Sequence, residues 1–144
     1  MLKTFFLITM AQISRNDFGS IVVSDHALEK LIIEEILNMN EMVLLCNKKG
    51  KIIRDKFNPL FEPDYYDAIS ITDTIKENSV KIYIVSTFGK SISNITDVIF
   101  KRIADIYDSL QVVKPEKVII YVKGMRTTSG VVVKRDIEVE HSYA

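Results

Sequence analysis

A chain of 144 residues fits a single domain, 1–144, and is long enough to bury roughly 70% of the surface its unfolded form exposes, so no metal or disulfide staple is needed to hold a core. Apolar residues make up 47% and charged residues 26%, values that argue against extensive disorder. Nineteen basic residues cancel nineteen acidic ones, so net charge gives the chain no reason to seek nucleic acid or an anionic membrane, and any such contact has to come from a local patch.

The start, M-L-K-T-F-F-L-I-T-M-A, has the look of a signal peptide, but its apolar stretch is shorter than the ~20 residues a bilayer requires and no small-residue cleavage pair follows. It reads as an extended segment from Phe5 to Ile13, with Arg15, Asn16 and Asp17 as turn residues before a short strand at 21–23. Ser24 is placed to cap a first helix, with Leu28, Leu31, Ile32, Ile36 and Met39 as its apolar stripe, ending near Asn40. A strand M-V-L-L-C, a turn at Asn47 to Gly50 and a return strand K-I-I-R follow.

The lone Cys46 permits no internal disulfide and suits a reducing cytoplasm; within an apolar run it reads as a small buried hydrophobe rather than a nucleophile. The densest basic stretch, 47–56, carries five positive charges beside Asp55, with Glu62, Asp64 and Asp67 close behind. It reads as a solvated hairpin, with a docking surface as the alternative. Residues 58–67, with two prolines and three acids, read as a loop whose aromatics, Phe57, Phe61, Tyr65 and Tyr66 with Leu60, either cover core edges or form an exposed patch.

Alternation returns at Ala68 to Thr72, with Ile69 and Ile71 inward, and K-E-N-S turns the chain into a longer strand. There Val80, Ile82, Ile84 and Phe88 share one face and Lys81, Tyr83, Val85 and Thr87 the other. Gly89 permits a sharp turn, Ser91 or Ser93 can cap a second helix, and Ile92, Ile95, Ile99, Ile103, Ile106 and Leu110 recur at helical spacing. Past Pro115, Val118, Ile120 and Val122 alternate with Lys117, Tyr121 and Lys123. After T-T-S-G a last strand offers itself as a hairpin partner, with His141 to Ala144 as a frayed tail. These elements predict an α+β fold: two helices packed on one face of a largely antiparallel sheet of about six strands.

Little catalytic chemistry is legible. F-G-K-S at 88–91 imitates a phosphate-binding loop, but the pattern needs a glycine at position 84, which is Ile, and no strand ending in Asp follows to hold magnesium. A helix start beside Gly89, Lys90 and Ser91 remains a candidate anion site only in the general sense that helix amides favour negative charge. His26 and His141 have no ligands at metal spacing, His26 beside Ser24 reads as an exposed helix-start residue rather than a base, and Glu34 and Glu35 point to different sides of a wet helix, so neither metal nor cofactor is expected and the chain reads as no enzyme. Lys81, Tyr83, Tyr121 and Lys123 present a basic and aromatic sheet face of the kind RNA-binding sheets use, although the aromatic consensus of the RRM fold is missing.

Two blocks carry a family resemblance: F-G-S-I-V-V-S-D-H-A-L-E-K-L-I at 18–32, and V-K-I-Y-I-V-S-T-F-G-K-S-I-S-N-I at 80–95, continuing through a helix to V-I-I-Y-V-K-G-M at 118–125. In order and spacing they resemble the alkaline shock, or envelope stress response, family of Gram-positive bacteria, over residues 18–125. Phe88, Gly89, Ser91 and Ile92 match its second block, and Val122, Lys123, Gly124 and Met125 that block's last element. The chain departs from the family in its N-terminal segment, its expanded middle from Asn47 to Asp67 and its extra C-terminal strand. The resemblance implies a non-enzymatic protein of cell-envelope homeostasis, in the cytoplasm or peripheral at the membrane through a small membrane-anchored partner. Exposed strand edges, such as residues 131–139, would suit a protein partner or a homo-oligomer. The alternative is an RNA-binding or ribosome-associated module.

Overall fold

The computed structural model describes residues 11–16, 19–53 and 64–143, an α+β arrangement with two helices and a mixed sheet. The expected extended segment before Ala11, the turn residue Asp17, and Phe57, Leu60 and Phe61 lie outside the described residues, as do Asp55 and Glu62 of the charged stretch. β1 (Ala11–Asn16) and β2 (Gly19–Ser24) form an antiparallel hairpin of their own. The Ser24 side chain accepts from the Ala27 amide and starts α1 (Asp25–Leu37), because a short hydroxyl side chain in extended backbone can reach the otherwise unpaired amides of a first helical turn. Leu28, Ile32 and Ile36 are buried as their spacing predicts, but Leu31 is 37% exposed and Ile33 takes a place in the core. At 100° per residue these two fall on opposite flanks of the stripe, and only the Ile33 flank faces the core.

β3 (Val43–Leu45) ends in a turn in which the Asn47 carboxamide oxygen accepts from the amides of Lys49 and Lys51. Among the described residues the expected return strand shrinks to a single bridge between Cys46 and Ile52, Arg54 lying outside them. A short 3-10 helix, Tyr65–Ala68, with both tyrosines packed against the core, leads to β4 (Ile69–Asp73) and by a tight turn to β5 (Asn78–Thr87). α2 (Ile92–Ser109) is capped by Ser91, whose hydroxyl accepts from the Asn94 amide, while Ser93 lies inside the helix. β6 (Lys117–Arg126) and β7 (Val132–Ser142) complete the chain.

The second sheet has five strands, with β5 and β6 at its centre. They run parallel, in register from Ser79 opposite Lys117 to Thr87 opposite Arg126, while every other pairing is antiparallel. A largely antiparallel sheet of about six strands therefore becomes two sheets, the larger with a parallel centre. The cause is the crossover: α2 leaves the end of β5 and, with about 27 Å of helix, carries the chain back to start β6 beside the beginning of β5. The far edge of β5 is shared end to end, β3 pairing with residues 84–86 and β4 with 78–82.

Val80, Ile82, Ile84, Val118, Ile120 and Val122 are fully buried and join Leu28, Ile32 and Ile36 of α1 and Ile95, Ile99, Phe100, Ile103 and Tyr107 of α2 in one cluster. Each fully buried isoleucine contributes about 2 kcal/mol of transfer free energy. Ile92, Ile106 and Leu110 are only partly buried at its margin. Phe88 was placed inward by simple alternation but is 53% exposed, because β5 stops at Thr87 and the chain turns before the period reaches it. Residues 141–143 of the expected tail are not frayed, Ala144 lying outside the described residues: His141 and Ser142 belong to β7, the His141 ring stacks on Phe100 at 5.1 Å, and the Tyr143 hydroxyl donates to the Phe100 carbonyl.

Gly124 is buried where the register of β6 slips against both neighbours. A Cβ there would lie 2.8 Å from a Val132 methyl and 3.2 Å from the Val133 carbonyl. Val132 can move, but the carbonyl belongs to a paired strand. Gly124→Ala is expected to cost about 1–3 kcal/mol, read as a lower urea midpoint with unchanged m-value. Burial, and secondly the nearby Asp25 charge, holds the Tyr107 hydroxyl above the ordinary tyrosine range, and burial does the same for Tyr143. The unfolded chain releases these protons near pH ~10 while the folded chain keeps them. Stability is therefore full below about pH 10 and falls above it. Urea midpoints at about pH 8 and pH 11 should differ, and Tyr107→Phe should reduce the difference.

Candidate functional site

The sheet face opposite the core cluster carries most of the residues singled out by sequence, and the parallel register decides how they meet. Tyr83 of β5 lies directly opposite Tyr121 of β6, which in turn faces Glu138 of β7. The two rings stack with centroids 4.9 Å apart and planes 13° from parallel. One step along, Lys81 stands opposite Ile119 and Ile119 opposite Glu140. Ile119, on the face read as wet, is only 5% exposed. Tyrosine fits this position because its flat ring packs on a pleated neighbour while its hydroxyl reaches water.

Three lysines of this face stand beside carboxylates. Lys81 Nζ lies 3.5 Å from Glu77, Lys117 Nζ 3.8 Å from Glu140 and Lys123 Nζ 3.7 Å from Asp136. Glu77 also accepts from the Ser79 hydroxyl at 2.7 Å; that hydrogen bond first, and the Lys81 charge second, hold its carboxyl below the usual range. Burial and the Glu138 charge raise the Tyr121 hydroxyl. At such exposed positions each ion pair adds little stability, so their main effect is to neutralise the face.

Lys123 is the residue inserted in β6 relative to β5, and its stem lies under the Asn47–Gly50 turn, where a Cβ on Gly50 would come within 3.3 Å of the Lys123 Cβ. The same hairpin buries Cys46, whose amide donates to the Tyr83 carbonyl. Burial pushes its thiol up to about 12, against the opposing pull of Lys123, and leaves it protonated and inert at neutral pH.

Gly89, Lys90 and Ser91 lie elsewhere, in the turn past the end of β5, whose last residue Thr87 is about 13 Å along the strand from Tyr83. Gly89 has φ +85°, which glycine adopts without strain, and the Ser91 hydroxyl is committed to capping α2. Lys90 is exposed. The structure thus brings Lys81, Tyr83, Tyr121 and Lys123 together and leaves the glycine turn apart. Sequence reasoning missed Glu77, Asp136, Glu138 and Glu140 as partners. The alternation of Glu138 and Glu140 against Ile137 and Val139 was the available signal, but it does not name the strand alongside.

Among the described residues no group of three or more His, Cys, Asp or Glu is placed to hold a metal ion, and no helix is long and apolar enough to cross a membrane. What the face offers is a stacked tyrosine pair flanked by lysines paired with carboxylates. If the stack contributes beyond area, Tyr83→Ala and Tyr121→Ala should show a coupling of about 0.5–1 kcal/mol in a double-mutant cycle by urea unfolding, and strict additivity would show that it does not.

No family model, curated protein or solved structure matches this chain.

Proposed function

We propose that this chain is a non-catalytic module that receives a protein partner on the helix-free face of its sheet and acts in cell-envelope homeostasis, in the cytoplasm or at the membrane surface through a small membrane-anchored protein. The observation that carries the docking reading is the stacked Tyr83–Tyr121 pair on the two central strands. Paired tyrosines supply large contact area with few rotatable bonds, so little entropy is lost when a partner covers them. The rim favours protein over nucleic acid: Lys81, Lys117 and Lys123 already have Glu77, Glu140 and Asp136 within 4 Å, and Glu138 stands beside the platform. An RNA strand would have to displace those carboxylates or lie against them, losing the counterion release that drives such binding.

The envelope part of the proposal rests on the resemblance to the alkaline shock family. Its two blocks fold here into β2 with α1 and into β5, α2 and β6, so the residues that carry the resemblance also hold the platform strands.

The test is crosslinking in native cells followed by membrane washing at low and high salt, with the Tyr83→Ala/Tyr121→Ala chain as comparison. Recovery of the unaltered chain with one integral membrane protein, reduced at least tenfold in the double variant, is the expected result. Equal recovery by both chains would overturn the docking face. A soluble chain crosslinked to RNA or ribosomes in a salt-sensitive way would replace the proposal by the nucleic-acid reading.

A further inference from the structure

Nineteen cations and nineteen anions cancel in number but not in place. No acidic residue occurs from Asn78 to Thr96 or from Lys117 to Arg135, stretches that hold all of β5, all of β6 and the start of β7. The finishing ends of β5 and β6 therefore form a basic pole. Lys90 lies in the turn after β5, Arg126 ends β6, and Lys134 and Arg135 follow the β6–β7 turn. Among the described residues none of these four has a carboxylate within 4 Å. Asp136, next along β7, is turned to Lys123 at 3.7 Å. Glu41, whose neighbour Met42 accepts from the Thr87 amide, and Asp97, in the second turn of α2, offset at most two of the four charges. Glu77, Glu116, Glu138 and Glu140 stand at the other end, by the starts of β5 and β6 and the close of β7.

The same pole carries Phe88, Val131, Val132 and Val133, which are 53%, 60%, 37% and 37% exposed and make up half of the exposed large apolar side chains among the described residues. They are close neighbours of the cations. The Phe88 amide donates to the Arg126 carbonyl, Val132 lies opposite Arg126, and the Thr127 amide donates to the Val131 carbonyl. Phe88, Arg126 and the Thr127–Gly130 turn line one hollow. Successive strand residues point to opposite faces, so three valines in a row leave both faces of the hairpin tip apolar. Such a tip is a wedge rather than one wall of a flat contact.

We infer that this pole docks directly on an anionic lipid bilayer, end-on, with the β6–β7 turn and the turn after β5 against the surface. A bilayer of that charge satisfies both properties of the pole at once: the cations stay at headgroup level while Phe88 and the valines enter the edge of the acyl region. An RNA strand would use the cations and leave the valines without gain, because aliphatic side chains do not stack on bases as aromatic rings do. The opposite sign of the two ends orients the chain as it approaches. Docked end-on, the chain keeps its Tyr83–Tyr121 face to the side and open. The inference does not rest on the protein-partner reading, and its test uses only the purified chain and lipid, so either can fail without the other.

Vesicles of about one-third phosphatidylglycerol in phosphatidylcholine should carry the chain down on centrifugation, and pure phosphatidylcholine should bind it about tenfold or more weaker. Raising salt from about 0.05 M to 0.5 M should weaken the anionic binding as the charges are screened. Each cation near such a surface is worth about fivefold, so Lys134→Glu with Arg135→Glu should weaken binding about tenfold or more while circular dichroism stays unchanged. Lys76→Glu with Lys114→Glu alters the net charge equally at the opposite end, about 30 Å away along the ten-residue β5, and should weaken binding by less than about threefold. The chain has no tryptophan, so Val131→Trp reports the tip alone. Its emission should shift to shorter wavelength on anionic vesicles, while that of Ile75→Trp, in the turn before β5, should not. Absence of binding to anionic vesicles overturns the inference, as does equal loss from the two double reversals or an unshifted Val131→Trp. Tighter binding to polyuridylate than to the vesicles, with the same dependence on Lys134 and Arg135, would overturn it in favour of nucleic acid.

Discussion

The parallel pairing of β5 with β6 is the constraint on which the rest depends. It exists because α2 must lie along both strands to bury Ile95, Ile99 and Ile103, and a helix of that length returns the chain to the starting end of its own strand. With the direction fixed, the register follows from matching Val80, Ile82 and Ile84 to Val118, Ile120 and Val122 on the buried face. Everything on the opposite face is then placed by consequence. Tyr83 meets Tyr121 because Ile82 and Ile84 meet Ile120 and Val122, and a slip of one residue would exchange the platform for core.

The two faces of the same strands have opposite tolerances. On the buried side the valines and isoleucines are fully enclosed and a lost methylene leaves a void, so substitutions there act on stability. On the open side the tyrosines and lysines are only partly buried, so substitutions there act less on the fold. Ile119 and Val85 are the exceptions, sequestered on the open side, and they give the platform a rigid floor.

Much of this was legible in the sequence, because period-two and period-3.6 patterns report burial directly: Ile82 and Ile84, Val118 and Ile120, and Ile95, Ile99 and Ile103 of α2 are where their spacing puts them. What was not legible depends on events between distant segments. Nothing local distinguishes a parallel from an antiparallel neighbour for K-V-I-I-Y-V, and the extra residue at Lys123 shows only against β5. Alternation also misleads where an element ends, as at Phe88, and local reading misses a tail held by distant residues, as the His141 ring and the Tyr143 hydroxyl are on Phe100. The tyrosines of the candidate site could be named from sequence, but their stacking and the neutralisation of their lysines could not, because both arise from strands brought together by α2 and by the last hairpin.

That last hairpin determines what kind of ligand the face can accept. With β5 and β6 alone, Lys81, Lys117 and Lys123 around a tyrosine pair would form a cationic, aromatic sheet surface suited to a phosphate backbone. β7 brings Asp136 to Lys123, Glu140 to Lys117 and Glu138 to the edge of Tyr121, and β4's turn brings Glu77 to Lys81. The aromatic area stays while the net attraction for polyanions goes, which leaves shape, apolar contact and balanced charge, the ingredients of protein recognition. The same acidic residues give β7 its charge asymmetry from end to end. Thus one strand, by placing its carboxylates beside Lys117 and Lys123, removes much of the electrostatic reason for binding nucleic acid.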